Sequence, residues 1–317
     1  MARPTRNRST QPGEHRPVML PEVLEVLAPA PGMTLVDCTL GFGGHAAEFL
    51  QRIGPSGRLI GFDMDSEHLP RVRERLDPIG HPYELHHSNF AALSTILYES
   101  APEGVDGILA DLGMSSMQVD DSSRGFSYMR EGPLDMRMDR QRGRTASELV
   151  MTLSMEELAD AFLNWGDEPQ AEVIARAIVA HRARMPIETT TQLRTLIEEA
   201  APVEVQFLVG QRNPTARQQQ LRPAARVFQT LRILVNRELA SLQQLLRVLP
   251  DHLKPGGKAA IISFHSGEDR IVKAALKECH QRGQYRAIAD DPLRPSSEER
   301  YNNPRSRSAK LRWCERA

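Results

Sequence analysis

The 317-residue chain is 40% hydrophobic and 26% charged, with a net charge of −1; this excludes disorder for the bulk of it and leaves enough apolar residues for a substantial core in one or two domains. Its longest apolar stretches, such as Ala259 to Phe264, fall far short of the roughly 18 residues that span a bilayer, and no N-terminal run reads as a signal peptide, so a cytoplasmic protein with no membrane partner is expected. Cys38, Cys279 and Cys314 are odd in number and lack a C-x-x-C pair, which argues against a disulfide framework and against a zinc site.

Only five of the 40 basic residues are lysine. Arginine is unevenly placed: Arg130 to Arg144 holds five basic residues against Glu131, Asp135 and Asp139, and Arg294 to Arg316 holds seven against Glu298, Glu299 and Glu315. Guanidinium forks suit phosphate and stack on bases, so a local nucleic-acid surface is compatible with the neutral total, as is an ordinary salt-bridged surface.

Residues 1–14 lack apolar periodicity and read as a disordered basic arm. After a short amphipathic helix, Leu20 to Leu27, apolar runs at Thr34 to Cys38, Leu59 to Phe62, Tyr83 to His86 and Val105 to Ala110 alternate with helix-compatible segments. That alternation predicts α/β architecture with a doubly wound, mostly parallel sheet. Ser154 to Pro202 reads as helices only: Ser154 with Glu157 makes a capping box, Ala171 to Ala183 has helical spacing, and Thr189 to Thr191 can cap Gln192 to Ala200. A long helix from about Ala224 to Leu249 follows, then the turn Pro255-Gly256-Gly257, a strand at Ala259 to Phe264 and a helix from Gly267. Tyr285 to Ala289 and Ala309 to Trp313 can close the sheet as an antiparallel pair. The predicted organisation is a core of residues 15–119 and 216–317, with an all-helical domain, 120–215, inserted between two strands.

Gly41-Phe42-Gly43-Gly44-His45-Ala46 follows the first strand and loosely fits the dinucleotide fingerprint G-x-G-x-x-G/A. Asp63 follows Gly41 by 22 residues, near the roughly 20 expected for a carboxylate that binds ribose hydroxyls. Asp37 ends the first strand. A carboxylate there repels pyrophosphate and attracts a ligand bearing an ammonium and a sulfonium, which describes S-adenosylmethionine and opposes a nicotinamide-dependent dehydrogenase. His45 is a helix cap, a ligand contact or a structural histidine, and Phe90 is either an adenine contact or core. Asp111 to Asp139 turns abruptly polar after the fourth strand, at the end of a sheet where α/β proteins bind ligands; a solvated surface loop has the same composition.

In this order the blocks H-R-P-V-M-L-P-E-V from His15, V-D-C-T-L-G-F-G-G-H from Val36, D-G-I-L-A-D-L-G from Asp106, S-R-G-F-S-Y-M-R-E-G-P-L-D-M-R-M-D from Ser123, I-S-F-H-S-G-E-D-R from Ile262 and N-P-R-S-R-S from Asn303 closely resemble the bacterial RsmH/MraW family. Those enzymes use S-adenosylmethionine to methylate N4 of a cytosine in the decoding region of small-subunit (16S) ribosomal RNA. The resemblance implies a Rossmann-like class I methyltransferase core with an inserted helical domain. It also implies cofactor binding at Gly43, Gly44, His45, Asp63, Phe90, Asp111 and Gln118. The chain departs from the family pattern at Phe42, where arginine is usual, at Gly267, where leucine is usual, around Arg222, and at Gly166-Asp167-Glu168-Pro169.

An amino nitrogen conjugated to a ring is a poor nucleophile, so orientation and lone-pair release are the chemistry to expect of the protein. Asp111, Ser115 and neighbouring carbonyls are candidate acceptors for the amino protons, with Asp111 alternatively serving the cofactor. His265, closing the late strand, is the candidate for a second polar group over the base or for proton acceptance, and equally for a supporting histidine. Asp135, Arg137 and Asp139 alternate in sign, which favours ion pairing over catalysis. Arg124, Arg137, Arg305 and Arg307 are candidate phosphate contacts, on naked RNA or on an assembled 30S subunit, and the inserted helices suit RNA docking or a homodimer. A DNA amino-methyltransferase commonly carries S/D-P-P-Y/F/W, and Asp111-Leu112-Gly113-Met114 lacks both prolines. A non-catalytic, cofactor-binding assembly factor shares every cofactor residue and differs only in turnover.

Overall fold

The computed structural model describes residues 17–202 and 223–317; the predicted basic arm, 1–14, and the departure at Arg222 lie outside the described residues. The chain divides into two compact units, one made of residues up to Gly113 together with Ser241–Ala317, the other of Met114–Ala240. The boundaries expected from sequence are 119 and 215.

The first unit is built on seven strands: β1 Thr34–Asp37, β2 Arg58–Asp63, β3 Tyr83–His87, β4 Val105–Asp111, β5 Leu253–Ser263, β6 Tyr285–Ile288 and β7 Lys310–Arg316. Their order is β3-β2-β1-β4-β5-β7-β6. The five strands from β3 to β5 pair in parallel, and β7 runs antiparallel to both β5 and β6. Side chains alternate across the sheet with period two. Val36, Ile60, Ile108 and Ile261 enter a core with Leu93, Leu97, Leu245, Leu249, Val272 and Leu276 from helices Leu93–Ser100, Glu238–His252 and Ser266–Gln281. Leu35, Leu59, Leu109 and Ile262 enter another with Val23, Phe49, Leu50 and Val72 from helices Leu20–Leu27, Gly44–Ile53 and Leu69–Leu76. Both faces being covered explains why these strands read as continuous apolar runs.

Sequence pattern puts the start of the fifth strand at Ala259, after the Pro-Gly-Gly turn. The strand instead starts at Leu253 and carries the turn as an irregularity, its pairing with β4 stepping from Val105↔Leu253 to Gly107↔Lys258. Gly256, at φ 78°, supplies the left-handed residue that such a bulge needs.

The second unit packs helices Ala146–Thr152, Met155–Asn164, Ala171–Arg182, Thr190–Ala200 and Pro223–Asn236 around Leu158, Phe162, Ile174, Ile178, Leu193, Ile197, Val227 and Leu231. Thr145 with Glu148, Ser154 with Glu157 and Thr189 with Gln192 form reciprocal capping boxes at three helix starts. The predicted single helix from Ala224 to Leu249 is two helices, broken at Arg237, whose φ is 53°. Asn236, the last residue before the break, serves a different part of the chain: its side chain accepts from Met138 N and donates to Met136 O, at 2.7 and 2.8 Å. Arg232 grips Glu238 across the break with two 2.8 Å hydrogen bonds. Ala224, Val227, Phe228 and Leu231 form the apolar stripe that seats the first of these helices in the second unit.

Candidate active site

Strand order reverses between β1 and β4, and ligands of open α/β sheets bind outside the carboxyl ends of the strands at such a point. Three adjacent strands end there in acids: Asp63 on β2, Asp37 on β1 and Asp111 on β4. Register places Asp37 opposite Gly61 and Leu109, and Asp111 opposite Ile262.

Thr39 ties two of the acids together. Its amide donates to Asp37 Oδ1 at 3.0 Å, and its hydroxyl accepts from the Asp111 amide at 2.8 Å. Asp37 is 1% exposed, and its Oδ2 has no hydrogen-bond partner among the described residues. Burial pushes the Asp37 carboxyl up to about 7, with the Thr39 amide pulling against that and the charge of Asp63 adding to it. Asp111, one-fifth exposed, likewise has a buried, unpartnered Oδ1. Burial raises it to about 8, helped by the charges of Asp37, Glu268 and Glu299.

Asp63 holds the glycine turn. Its Oδ2 accepts from the Gly41 amide at 2.7 Å and lies 3.1 Å from His68 Nδ1, while its Oδ1 accepts from the Asp65 amide at 2.8 Å. A carboxylate offers about four acceptor positions, so one remains for a ligand hydroxyl. Phe42 leans over the His68 ring at 5.7 Å between centroids. This chain thus has an aromatic ring against the histidine that lies on Asp63.

Gly43 caps the helix Gly44–Ile53 in the left-handed region, φ 70°, and a Cβ there would come within 3.2 Å of Val72. The first turn of that helix carries His45, whose Nε2 must donate to the Val18 carbonyl at 3.0 Å. Its Nδ1 then faces Asp111 Oδ2 at 4.0 Å. Phe90 opens a short 3-10 turn and packs partly buried against the core. The preceding Asn89 fixes that turn, accepting from Ala91 and donating to Ser241 Oγ at 2.9 Å.

His265 is the N-cap of helix Ser266–Gln281 in a capping box with Glu268: Nδ1 accepts from the Glu268 amide at 3.4 Å, and Nε2 lies 3.1 Å from Glu268 Oε1. Gly267 gives the ring room, since a Cβ there would sit 3.1 Å from Nδ1. In the second unit, Ser115 and Gln118 form their own capping box, Ser115 Oγ accepting from the Gln118 amide and Gln118 Oε1 from the Ser115 amide. Arg124, a candidate phosphate contact, is only 4% exposed and donates to the carbonyls of Arg137 and Met138. Arg137 is clamped on Asp135 by two bonds of 2.8 and 2.9 Å; burial opposes ionisation of Asp135, but Arg137 holds its carboxyl below the usual range. Arg305 and Arg307 lie exposed on the turn Pro304–Ser308.

Four residues of this site do not emerge from sequence: Thr39, His68, Glu268 and Glu299. Glu268 carries a signal, since H-x-x-E at Phe264's strand end is a capping box with histidine in the place of the usual serine or threonine. The others act through tertiary contacts that no spacing encodes.

A doubly wound α/β sheet with a glycine turn and carboxylates at its switch point defines a Rossmann-like protein of the methyltransferase class. The chain belongs to the MraW methylase family, whose model matches residues 13–317. It is 45% identical over 302 residues to the ribosomal RNA small subunit methyltransferase H of Cyanothece sp., covering 95% of this chain and 94% of that protein. It is 43% identical over 313 residues to the ribosomal RNA small subunit methyltransferase H 2 of Alkaliphilus metalliredigens, covering 98% and 87%. Among solved structures, an rRNA methylase from Streptococcus thermophilus aligns over 94% of this chain and 91% of that chain, with TM-score 0.40 and 12% identity. The protein is an S-adenosylmethionine-dependent methyltransferase. The residues present fit that cofactor: the buried, unpartnered carboxylate oxygen on Asp37 calls for a cation, and pyrophosphate would be repelled there. No helix among the described residues is long and apolar enough to cross a membrane.

Proposed function

We propose that this protein methylates N4 of a cytosine in the decoding region of small-subunit ribosomal RNA. The names of its relatives support small-subunit rRNA as the substrate. The observation that carries the choice of an amino nitrogen is Asp111 Oδ1, a buried acceptor at a strand end with no donor among the described residues. An exocyclic amine brings two N–H donors and needs an acceptor to release its lone pair.

Asp37, Asp63, the Gly43-Gly44 turn, His45 and Phe90 hold the cofactor: Asp37 neutralises its cationic end, Asp63 takes a ribose hydroxyl, and Phe90 packs on the base. When bound, S-adenosylmethionine would supply an electrophilic methyl group, its methyl–sulfur bond breaking as the new bond to nitrogen forms and the neutral thioether S-adenosylhomocysteine leaving. Asp111 accepts a hydrogen bond from the cytosine amine and aligns the nitrogen; when the N–C bond has formed, the surplus amine proton passes to its carboxylate. His265, fixed by Glu268, supports the strand end beside it. Ser115 and Gln118 enter from the family resemblance, as acceptor and cofactor contact, and the helical unit serves substrate recognition. The target base must be unpaired or flipped for its amine to reach a strand-end carboxylate. Arg305 and Arg307 contact phosphate, while Arg124 and Arg137 shape the loop from Ser122 to Asp139.

The test is to incubate the protein with labelled S-adenosylmethionine and small subunits from cells lacking this gene, then digest the RNA and identify the labelled nucleoside by mass spectrometry. N4-methylcytidine at one decoding-region position is expected. Label on another atom or nucleoside contradicts the assignment, and cofactor binding without label identifies a non-catalytic assembly factor.

A further inference from the structure

Because β7 runs antiparallel to β5, with Lys310 opposite Ser263, the segment that leads into β7 lies at the carboxyl end of the parallel strands, the end that carries Asp37, Asp63 and Asp111. That segment contains the short helix Ser297–Asn302 and the turn Pro304–Ser308. It is firmly held. Ser296 caps the helix, Glu299 Oε1 accepts from the Met19 amide at 2.8 Å, and Arg307 Nε donates to the Arg300 carbonyl at 3.2 Å. Glu299 also raises the proton affinity of Asp111, so the helix stands within electrostatic reach of the reacting end of β4.

On this helix Tyr301 is 78% exposed, the most exposed of the large hydrophobic side chains among the described residues. Arg294, Arg300, Arg305 and Arg307 surround it in sequence and are all exposed, against Glu298 and the tethered Glu299. An exposed aromatic ring among arginines, on a tethered segment, is the arrangement that binds single-stranded nucleic acid, with guanidinium on phosphate and ring on base.

We propose that Tyr301 stacks on a nucleobase of the RNA strand flanking the methylated cytosine, and so positions that strand at the end of β4. The proposal rests on rRNA being the substrate. With rRNA in assembled small subunits, Tyr301→Ala raises KM for the subunit by roughly 5- to 150-fold, the range for loss of one base–aromatic stack. The slope of affinity against salt stays unchanged, because no charge is removed. Cofactor affinity and melting temperature stay at wild-type values, and Tyr301→Phe restores KM because the ring, not the hydroxyl, is used. Tyr98, 69% exposed at the far end of its helix from the strand carboxyl ends, is the control, and Tyr98→Ala leaves KM unchanged. Photo-crosslinking joins Tyr301 to an rRNA nucleotide. Wild-type KM in Tyr301→Ala, no rescue by phenylalanine, or crosslinking to a ribosomal protein each overturns the stacking role alone. A wild-type protein that modifies no subunit RNA overturns the functional reading with it.

Discussion

Asp37 and Asp111 are held where their own charge is disfavoured, and the pH dependence of the protein follows from that. In the folded, ligand-free chain their proton affinities rise to about 7 and about 8, mainly through burial, from an ordinary value of 3.8. Between these limits the folded state keeps protons that the unfolded state has lost. Their contribution to stability is therefore complete below about pH 4, falls as pH rises, and is gone above about pH 8. Thermal unfolding of ligand-free protein should show this decline, and saturating S-adenosylmethionine should flatten it. Cofactor affinity moves the other way. A cation needs the Asp37 carboxylate ionised, so binding should strengthen with pH up to about 7, by at most tenfold per unit, as read by calorimetry in buffers of different ionisation enthalpy. Pronounced pH independence would mean that Asp37 does not meet the cationic end. Asp37 and Asp63 are legible in sequence because each closes an apolar run, Asp37 just before the glycine turn and Asp63 22 residues after Gly41. Thr39, which joins Asp37 to Asp111, is not, since a threonine after a strand has many uses and only the fold shows which amide reaches it.

The glycine turn and the Arg237 break show how single backbone conformations set the placement of whole elements. Gly43 sits at φ 70° against Val72. Gly43→Ala should destabilise the fold by about 1–2 kcal/mol in chemical denaturation, the cost of a left-handed residue with a side chain, and should weaken cofactor binding as the helix Gly44–Ile53 shifts. At the break, Asn236→Ala strands the Met138 amide and the Met136 carbonyl; a loss of about 2–3 kcal/mol is expected, with no change in cofactor affinity. Strands are legible because both sheet faces are covered, and the caps at Ser154 and Thr189 mark two helix starts in the second unit. The break is not legible, because Ala224 to Leu249 keeps an apolar period throughout and Asn236 acts on a loop about 100 residues earlier. For the same reason sequence places the helix Pro223–Asn236 in the sheet-bearing core, whereas its apolar stripe packs with the helical unit.

Across the whole molecule a net charge of −1 coexists with arginine-rich segments, and structure separates their uses. Arg124 and Arg137 are largely buried onto the protein's own carbonyls and carboxylates, whereas Arg305 and Arg307 lie exposed beside the strand ends, Arg307 with its Nε on the Arg300 carbonyl. Spacing cannot make that distinction, because both segments carry similar runs of guanidinium and acid. Charge reversal at Arg305 and Arg307 together should weaken RNA binding and lower its salt slope by about 0.7 for each single-strand phosphate that is no longer neutralised, leaving cofactor affinity intact. An unchanged slope would return both residues to a structural role. The central claim is that the unpartnered carboxylate ending β4 handles the cytosine amine, and the most direct measurement is single-turnover methylation of small subunits by Asp111→Asn at saturating cofactor. The asparagine keeps the shape of the side chain and removes the carboxylate. A fall in the rate of N4-methylcytidine formation of about 10²- to 10³-fold is predicted, and a rate equal to wild type would contradict the account.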